Sequence, residues 1–200
     1  MIRILLFIKH HFSFLWSIAE WCNGLVFSLI YKNKLSGTAN RICEEYSKND
    51  LLFCCLNQSD IAPLAAFFQE QPEETYRYFK PHAFDEKTLA KLWSNPAFFQ
   101  FVVKNQNNQI AGYFLIRFFV NRKAFVGFLV GEVFQGRGIA KQMCRIALKI
   151  CWESNFRTFA TVSRDNTKAI AAYRSINDFT IHKELPDNYI YIEYTKQGMK

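Results

Sequence analysis

The hexapeptide QGRGIA, from Gln135 to Ala140, lies between an apolar segment and a pattern with helical spacing. A helix N-terminus presents unpaired N–H groups and the positive end of the helix dipole, so it attracts phosphate groups. Glycine lets the backbone approach a ligand closely, and Arg137 and Lys141 add positive charge beside the turn. We therefore expect an anion to bind at this turn.

Two common phosphate motifs fit the turn poorly. The spacing from Gly131 to Gly136 matches a P-loop, but Arg137 and Gly138 stand where that motif needs lysine and a magnesium-binding hydroxyl. A dinucleotide fingerprint needs a third glycine at the position of Lys141, near the start of a βαβ unit. The strands expected before the turn are instead linked by short hairpins, so neither motif explains it.

A third pattern fits better. QGRGIA resembles the Q/R-x-x-G-x-G/A signature of the GNAT superfamily of N-acetyltransferases, with Gln135, Gly138 and Ala140 in the defining places. The resemblance implies a loop whose backbone amides hold the diphosphate of acetyl-CoA as acetyl donor. It covers about residues 51 to 195. The implied cofactor-binding residues are Val130, Gln135, Gly136, Arg137, Gly138, Ile139, Ala140 and Asn166.

A second segment, DNTKAIAAYRSINDF, resembles the family pattern N-x-x-A-x-x-x-Y-x-x-x-G-F, with Asn166, Ala169 and Tyr173 in register. Asn177 stands in place of the glycine, and asparagine tolerates the left-handed conformation expected at such a helix end. The following position is Asp178, so the family's phenylalanine is displaced by one residue. Asn166 is equally suited to bind the cofactor or to cap its helix.

The resemblance implies roles in acetyl transfer. A neutral amine attacks the thioester, an oxyanion forms, and the sulfur leaves as thiolate, so placement, an oxyanion donor and an acid are required. Val130 would offer backbone groups to the pantetheine and the thioester carbonyl, in a slot made where the strands ending FLV and ATVS separate. Tyr173 would protonate the thiolate, and its alternative is packing on an alanine-rich helix.

The base that deprotonates the amine is not evident from the motifs. Glu132, just past the central strand, is the best-placed carboxylate, and a solvated loop position is its alternative. His82 is the next candidate, because histidine titrates near neutral pH and its loop would line the acceptor site in this fold. A structural role is the more common one for a lone histidine. A chain of water molecules could replace both.

The elements that must position these residues alternate from about residue 51. The patterns predict a strand, two helices separated by a loop, a meander of three strands, the glycine turn, a long helix, a strand, a helix and two closing strands. This order predicts an α+β (mixed α/β) protein. By resemblance it is the GNAT fold: a central, mostly antiparallel sheet flanked by helices and splayed at the acetyl-CoA site, within residues 51–200.

Residues 1–36 form a different segment, strongly apolar with basic residues at both ends. Its polar positions recur every three, four or seven residues, which predicts an amphipathic helix. We expect peripheral membrane contact, and the alternative is a helix docked on this protein or on a second copy in a homodimer. A spanning helix would place Glu20, His10 and His11 near hydrocarbon. The polar stretch NKLSGTAN then predicts a boundary with Gly37.

Composition limits the partners. A net charge of +8 favours anionic partners, but no nucleic-acid motif of the aromatic-basic kind occurs. The six cysteines form no CxxC pair and no zinc spacing. We therefore expect no metal and no nucleic acid, and a reducing compartment: the cytoplasm, at the inner face of the membrane.

The expected function is transfer of an acetyl group from acetyl-CoA to a primary amine. The charge and the apolar segment favour an anionic, small-molecule acceptor near a membrane, such as an amino sugar in surface-polysaccharide assembly. Peptide, protein and polyamine acceptors stay open, the last because Glu70, Glu73 and Glu74 lie near the expected acceptor loop. A non-catalytic module that binds CoA or a lipid-linked partner is the alternative class.

Overall fold

The computed structural model describes the backbone of residues 13–48 and 50–196, and side chains from residue 21 onward. Seven strands form one sheet in the order β1-β2-β3-β4-β5-β7-β6. The strands are β1 (Leu51–Cys55), β2 (Phe98–Asn105), β3 (Ile110–Phe118), β4 (Lys123–Val130), β5 (Arg157–Ser163), β6 (Phe179–Glu184) and β7 (Tyr189–Tyr194). The helices are α1 (Ser13–Ile30), α2 (Lys32–Tyr46), α3 (Ile61–Gln69), α4 (Glu86–Trp93), α5 (Ile139–Glu153) and α6 (Thr167–Ile176).

The sheet is antiparallel except between β4 and β5, which run parallel. Their pairing begins at Lys123–Arg157 and ends at Phe125–Phe159. Beyond that point the two strands separate, although β4 stays paired with β3 as far as Val130. The predicted order of elements and the predicted splay of the sheet are therefore confirmed.

Helices cover the sheet on both faces and divide the core in two. The larger cluster joins α2, α5 and the end of α6 to one face, where Phe101 and Phe114 stack with centroids 4.4 Å apart. The smaller cluster joins α3 and α4 to the other face, where Phe68 contacts Tyr113 edge-on at 5.2 Å. The strand ends at the split therefore have α5 and α6 on one face and α3 and α4 on the other.

Helix α5 is held by an apolar stripe at spacings of three and four residues. Its stripe of Ile139, Met143, Ile146 and Ile150 is fully buried, as expected for a helix that packs one face on a sheet. Contacts with β3, β4 and β5 centre the helix over the split. Its first turn therefore lies where β4 and β5 diverge.

The predicted boundary at NKLSGTAN is wrong, because that stretch lies inside α2. Leu35, Ala39 and Ile42 recur at helical spacing and are buried against β1 and α5. Gly37 is on the exposed face, where a glycine costs only about 1 kcal/mol relative to alanine. The loss is offset by the burial of the opposite face.

The C-terminal half of α1 is docked on the domain through one face. Phe27 is fully buried and stacks on Phe118 at 5.5 Å. A Cβ added at Gly24 would lie 3.3 Å from the Asn95 side chain, so this polar position faces the protein. In the part of the chain that the structure describes, no helix is long and apolar enough to cross a membrane. The first twelve residues of the predicted segment lie outside that part.

Candidate active site at the strand split

The anion-binding turn predicted from the sequence lies at the mouth of the split. After β4, a short 3₁₀ turn (Glu132–Phe134) leads to Gly136 and Gly138, with φ angles of +79° and +76°. A Cβ added at either glycine would meet no atom within 4 Å. Glycine is therefore favoured by the left-handed backbone, and the space in front of the turn is open.

Helix α5 begins at Ile139 with Gly138 as its N-cap, and no side chain caps it. The first-turn N–H groups of an uncapped helix need partners from outside the helix. The Arg137 guanidinium lies 5.5 Å from the centre of the Phe134 ring, beside this turn. The arrangement can hold an anion through backbone donors, the helix dipole and one nearby cation.

A cavity of about 650 Å³ lies next to the turn, between α2, β1 and the first two turns of α5. Its lining includes Lys48, Arg137 and Arg145, together with the Tyr46 and Phe134 rings. It opens on the β1 side of α5, whereas the split lies between β4 and β5. The cavity is therefore adjacent to the turn and distinct from the slot between β4 and β5.

Tyr173 approaches the split from α6. Its ring lies 6.2 Å from that of Phe128 on β4 and 5.7 Å from that of Tyr194 on β7. Tyr173 is half-buried, and burial, with a smaller contribution from the Cys144 thiol, raises the pKa of Tyr173 above its usual value. The phenol therefore keeps its proton at neutral pH and is available as a donor beside the split.

The two asparagines of the second motif act on the ends of α6. The Asn166 side chain accepts a hydrogen bond from the Ala169 N–H at 3.1 Å, so it caps the helix. Asn177 was expected in the left-handed region, and this is wrong: its φ of −158° is extended. Its side chain is buried and donates to the Thr195 carbonyl, which ties the end of α6 to the end of β7.

Glu132 lies two residues past the end of β4 and is exposed. Its backbone N–H donates to the Gln71 side chain at 2.9 Å, which connects the turn to the loop after α3. Within that loop Phe79 packs on β4, because a Cβ added at Gly127 would lie 3.1 Å from the Phe79 ring. The loop therefore forms a wall beside the split on the face opposite α5.

His82 belongs to the same wall, and both of its ring nitrogens are engaged. Nδ1 lies 2.8 Å from the Ala83 carbonyl, and Nε2 lies 2.9 Å from the Tyr113 hydroxyl. That hydroxyl also lies 3.1 Å from Gln100 Oε1, while the Gln100 amide donates to the Leu89 carbonyl.

The network limits the protonation of His82. Tyr113 has one hydroxyl proton to donate. If that proton is donated to Gln100, Nε2 of His82 must donate to Tyr113 and Nδ1 must donate to Ala83, so both nitrogens of His82 would carry N–H groups. Burial opposes that charged form and lowers the pKa of His82, although the Ala83 carbonyl acts in the other direction. A neutral His82 carries its proton on Nδ1 and accepts from Tyr113, so its lone pair is occupied.

The structure thus brings together Val130, the turn and Tyr173 around the split, with Glu132 at its mouth. His82 lies on the opposite face of the sheet, over β3. Phe79, Tyr113 and Gln100 could not be found from a motif, because they are aromatic and amide residues in a loop and in buried strands. Within the described residues, no cluster of metal-ligating side chains occurs.

The same residues are matched by comparison with known proteins. The sequence profile of the acetyltransferase (GNAT) family matches residues 64–179, more than half of the chain, and includes the turn and Tyr173. The chain belongs to the GNAT acetyltransferase family. It is therefore an acyltransferase, and both motif resemblances lie within the matched range. No curated protein sequence matches the chain significantly.

Solved structures share the GNAT fold at low identity. Ribosomal-protein-S5-alanine acetyltransferase from Vibrio fischeri superimposes with a TM-score of 0.62 and 16% identity, covering 76% of this chain and 97% of that one. The GNAT domain of S. lividans PAT gives 0.61 and 17%, covering 70% and 88%. Spermidine N-acetyltransferase from Vibrio cholerae in complex with CoA and spermine gives 0.54 and 18%, covering 74% and 94%.

Proposed function

We propose that this GNAT protein transfers the acetyl group of acetyl-CoA to a primary amine of a small molecule. The observation that carries the proposal is the split between β4 and β5, which opens onto an uncapped helix N-terminus with Gly136 and Gly138 at positive φ. The turn would bind the diphosphate, and the split would admit the pantetheine arm. Gln135 and Ala140 complete the loop at its two ends.

The chemistry assigns a role to each group around the split. The amine nitrogen adds to the thioester carbon, and the resulting oxyanion needs a donor at the end of β4 before the carbon–sulfur bond breaks. Backbone groups at Val130 would make that contact. Tyr173, which keeps its proton at neutral pH, donates it to the departing sulfur.

The proton lost by the amine needs an acceptor, and the two candidates differ. Glu132 is exposed at the mouth of the split, and a carboxylate there can accept the proton directly or through water. The lone pair of His82 is occupied by Tyr113 in the neutral form. We therefore propose Glu132 or water as acceptor, and His82 as a residue that holds the acceptor-side loop on β3.

An anionic acceptor is favoured over a polyamine. The net charge of +8 repels a polycation at long range and attracts a phosphate-bearing acceptor. Of the acidic residues near the acceptor loop, Glu74 is already paired with Arg77 at 3.1 Å. A nucleotide-linked amino sugar in the cytoplasm is therefore the first acceptor to test, followed by peptides and by spermidine, the substrate named for one structural neighbour.

The cofactor assignment is tested by calorimetric titration of acetyl-CoA into the full-length protein. We expect saturable binding that is lost in Gly138→Glu, because bulk and negative charge enter the open space before the turn. Gly37→Glu is the control for added bulk and charge, since Gly37 is exposed on α2 and a Cβ there also meets no atom within 4 Å. Equal affinity in the Gly138 variant and the wild type would refute the site.

The catalytic assignment is tested by measuring enzymatic turnover. Thiol release from acetyl-CoA is measured with a panel of amines, starting with nucleotide-linked amino sugars. Acetylation of one of them, with loss of rate in Tyr173→Phe, supports the enzyme proposed here. Tight CoA binding without turnover on any amine would favour the alternative, a non-catalytic CoA-binding module.

A further inference from the structure

Helix α1 presents a continuous apolar surface to solvent. We call this surface the α1 apolar face; it consists of Trp21, Leu25, Val26, Leu29 and Ile30. Trp21 is 67% exposed and Leu29 81% exposed, and the spacing of four residues places Trp21, Leu25 and Leu29 in one stripe. Single exposed apolar residues are common, but a contiguous set indicates an interaction surface.

The α1 apolar face is not the product of an undocked helix. On the opposite side, Phe27 is fully buried between the Phe118 and Phe156 rings. The Asn23 side chain donates to the Phe118 carbonyl and accepts from the Val120 N–H, both at 3.2 Å. The helix is therefore docked on the β3–β4 hairpin, and its outer face is exposed while it is docked there.

Positive charge borders this face. Lys32 and Lys34 are exposed just past the end of α1. Arg122, on the hairpin, holds its guanidinium 6.0 Å from the centre of the Tyr31 ring at the same end. The sequence has no acidic residue from position 21 to 43 or from 118 to 131. An apolar stripe with a basic border is the pattern of helices that lie in an anionic membrane interface.

We propose that the α1 apolar face docks on an anionic lipid surface, with α1 lying in the plane of the interface. The sequence before α1 also combines apolar and basic residues, with Ile4, Leu5 and Phe7 between Arg3 and Lys9. Pairing with a second copy through this face is less favourable, because residues 21–43 and 118–131 offer no acidic residue to pair with the basic border. The proposal does not depend on the acetyltransferase assignment.

The test is flotation of full-length protein with phosphatidylcholine vesicles, with and without phosphatidylglycerol. We expect flotation with the anionic vesicles. The double variant Leu25→Gln, Leu29→Gln should partition at least about tenfold more weakly, because each leucine loses its transfer into hydrocarbon. Leu52→Gln is the matched control: Leu52 is 49% exposed and Leu25 48%, but Leu52 lies on β1.

The basic border is tested separately. Lys32→Gln with Lys34→Gln should weaken partition to the anionic vesicles by roughly fivefold for each lysine and leave neutral vesicles unaffected. Added salt should weaken the binding of the wild type more than that of this variant, because surface charges are screened. Circular dichroism is the control that checks whether each variant is folded.

Several outcomes would overturn the proposal. One is the absence of flotation with anionic vesicles. Another is an equal loss in Leu52→Gln and in the double leucine variant, since this would not locate binding on α1. A third is full binding by the double leucine variant that disappears on deleting residues 2–12. A last one is a dimer, seen by light scattering, that the double leucine variant abolishes while vesicles bind neither protein.

Discussion

The two glycines of the turn allow the cofactor site to be tested with a matched pair of small substitutions. Gly136 and Gly138 share almost the same φ, and a Cβ at either position meets no neighbouring atom. Gly136→Ala and Gly138→Ala therefore impose the same backbone strain and add the same methyl group. They differ in position, because Gly138 is the N-cap of α5 and Gly136 lies two residues before it.

The expected stability cost is the same for both variants. An L-residue in the left-handed region costs about 1–2 kcal/mol, with no steric addition because the space is open. For a chain of this size each 1 kcal/mol lowers Tm by about 2–4 °C. Both variants should therefore unfold about 2–8 °C below the wild type.

The expected loss of acetyl-CoA affinity differs between them. A methyl group at Gly138 enters the space where the diphosphate would approach the first-turn N–H groups, so we expect at least about a tenfold loss, or about 1.4 kcal/mol. Gly136→Ala should lose less than about threefold, about 0.6 kcal/mol by the same conversion. Thermal unfolding and calorimetric titration measure the two effects on the same samples. Equal affinities in the two variants would refute the assignment of the diphosphate to the head of α5.

Three further outcomes are expected. Tyr173→Phe should lower kcat on the order of 100-fold or more with little change in acetyl-CoA affinity, whereas a parallel loss of affinity would indicate a packing role. Asp60→Ala should lower the free energy of unfolding by roughly 3–5 kcal/mol, because Lys104, whose side chain is 12% exposed, loses its partner at 2.6 Å; a urea titration showing under about 1 kcal/mol would mean that the pair is solvated. Burial lowers the pKa of His82, so the unfolded chain binds its proton first and stability falls as pH drops below about 6.5. His82→Gln should flatten this part of the profile of urea midpoint against pH, and parallel profiles would contradict the pKa shift.

Local patterns were sufficient to predict most of the fold. Alternating apolar segments separated by NQNNQ and VNRK predict the β2–β3–β4 meander, and short hairpins leave little freedom in pairing. The turn was predictable because Gly136 and Gly138 lie in a GNAT-like signature ahead of a helix, and the structure gives both of them a left-handed backbone. The failures are at places decided by tertiary contacts. A glycine and two asparagines in NKLSGTAN indicate a loop, yet α2 continues through them because its other face is buried on β1 and α5.

The candidate site was predictable only in part. Residues with a motif, such as Gly138 and Tyr173, could be named from spacing. The neighbours of His82 could not, because Tyr113 and Gln100 come from two strands whose register only the folded sheet defines. This register places Tyr113 next to Gln100 and within hydrogen-bond distance of His82. The extended conformation of Asn177 likewise depends on the carbonyl of Thr195, eighteen residues away.

The position of α1 determines how far the glycine turn lies from a membrane bound through α1. Asn23 attaches α1 to the β3–β4 hairpin, at the start of β4, whereas the turn follows the end of β4. Eight residues at about 3.3 Å each separate these ends by about 26 Å. With β4 directed away from the bilayer, a protein resting on lipid through α1 would hold the glycine turn at most about that distance beyond the start of β4. A turn held away from the headgroups would favour diffusible acceptors over acceptors embedded at the bilayer surface, so the membrane would set where acetylation happens without supplying the acceptor.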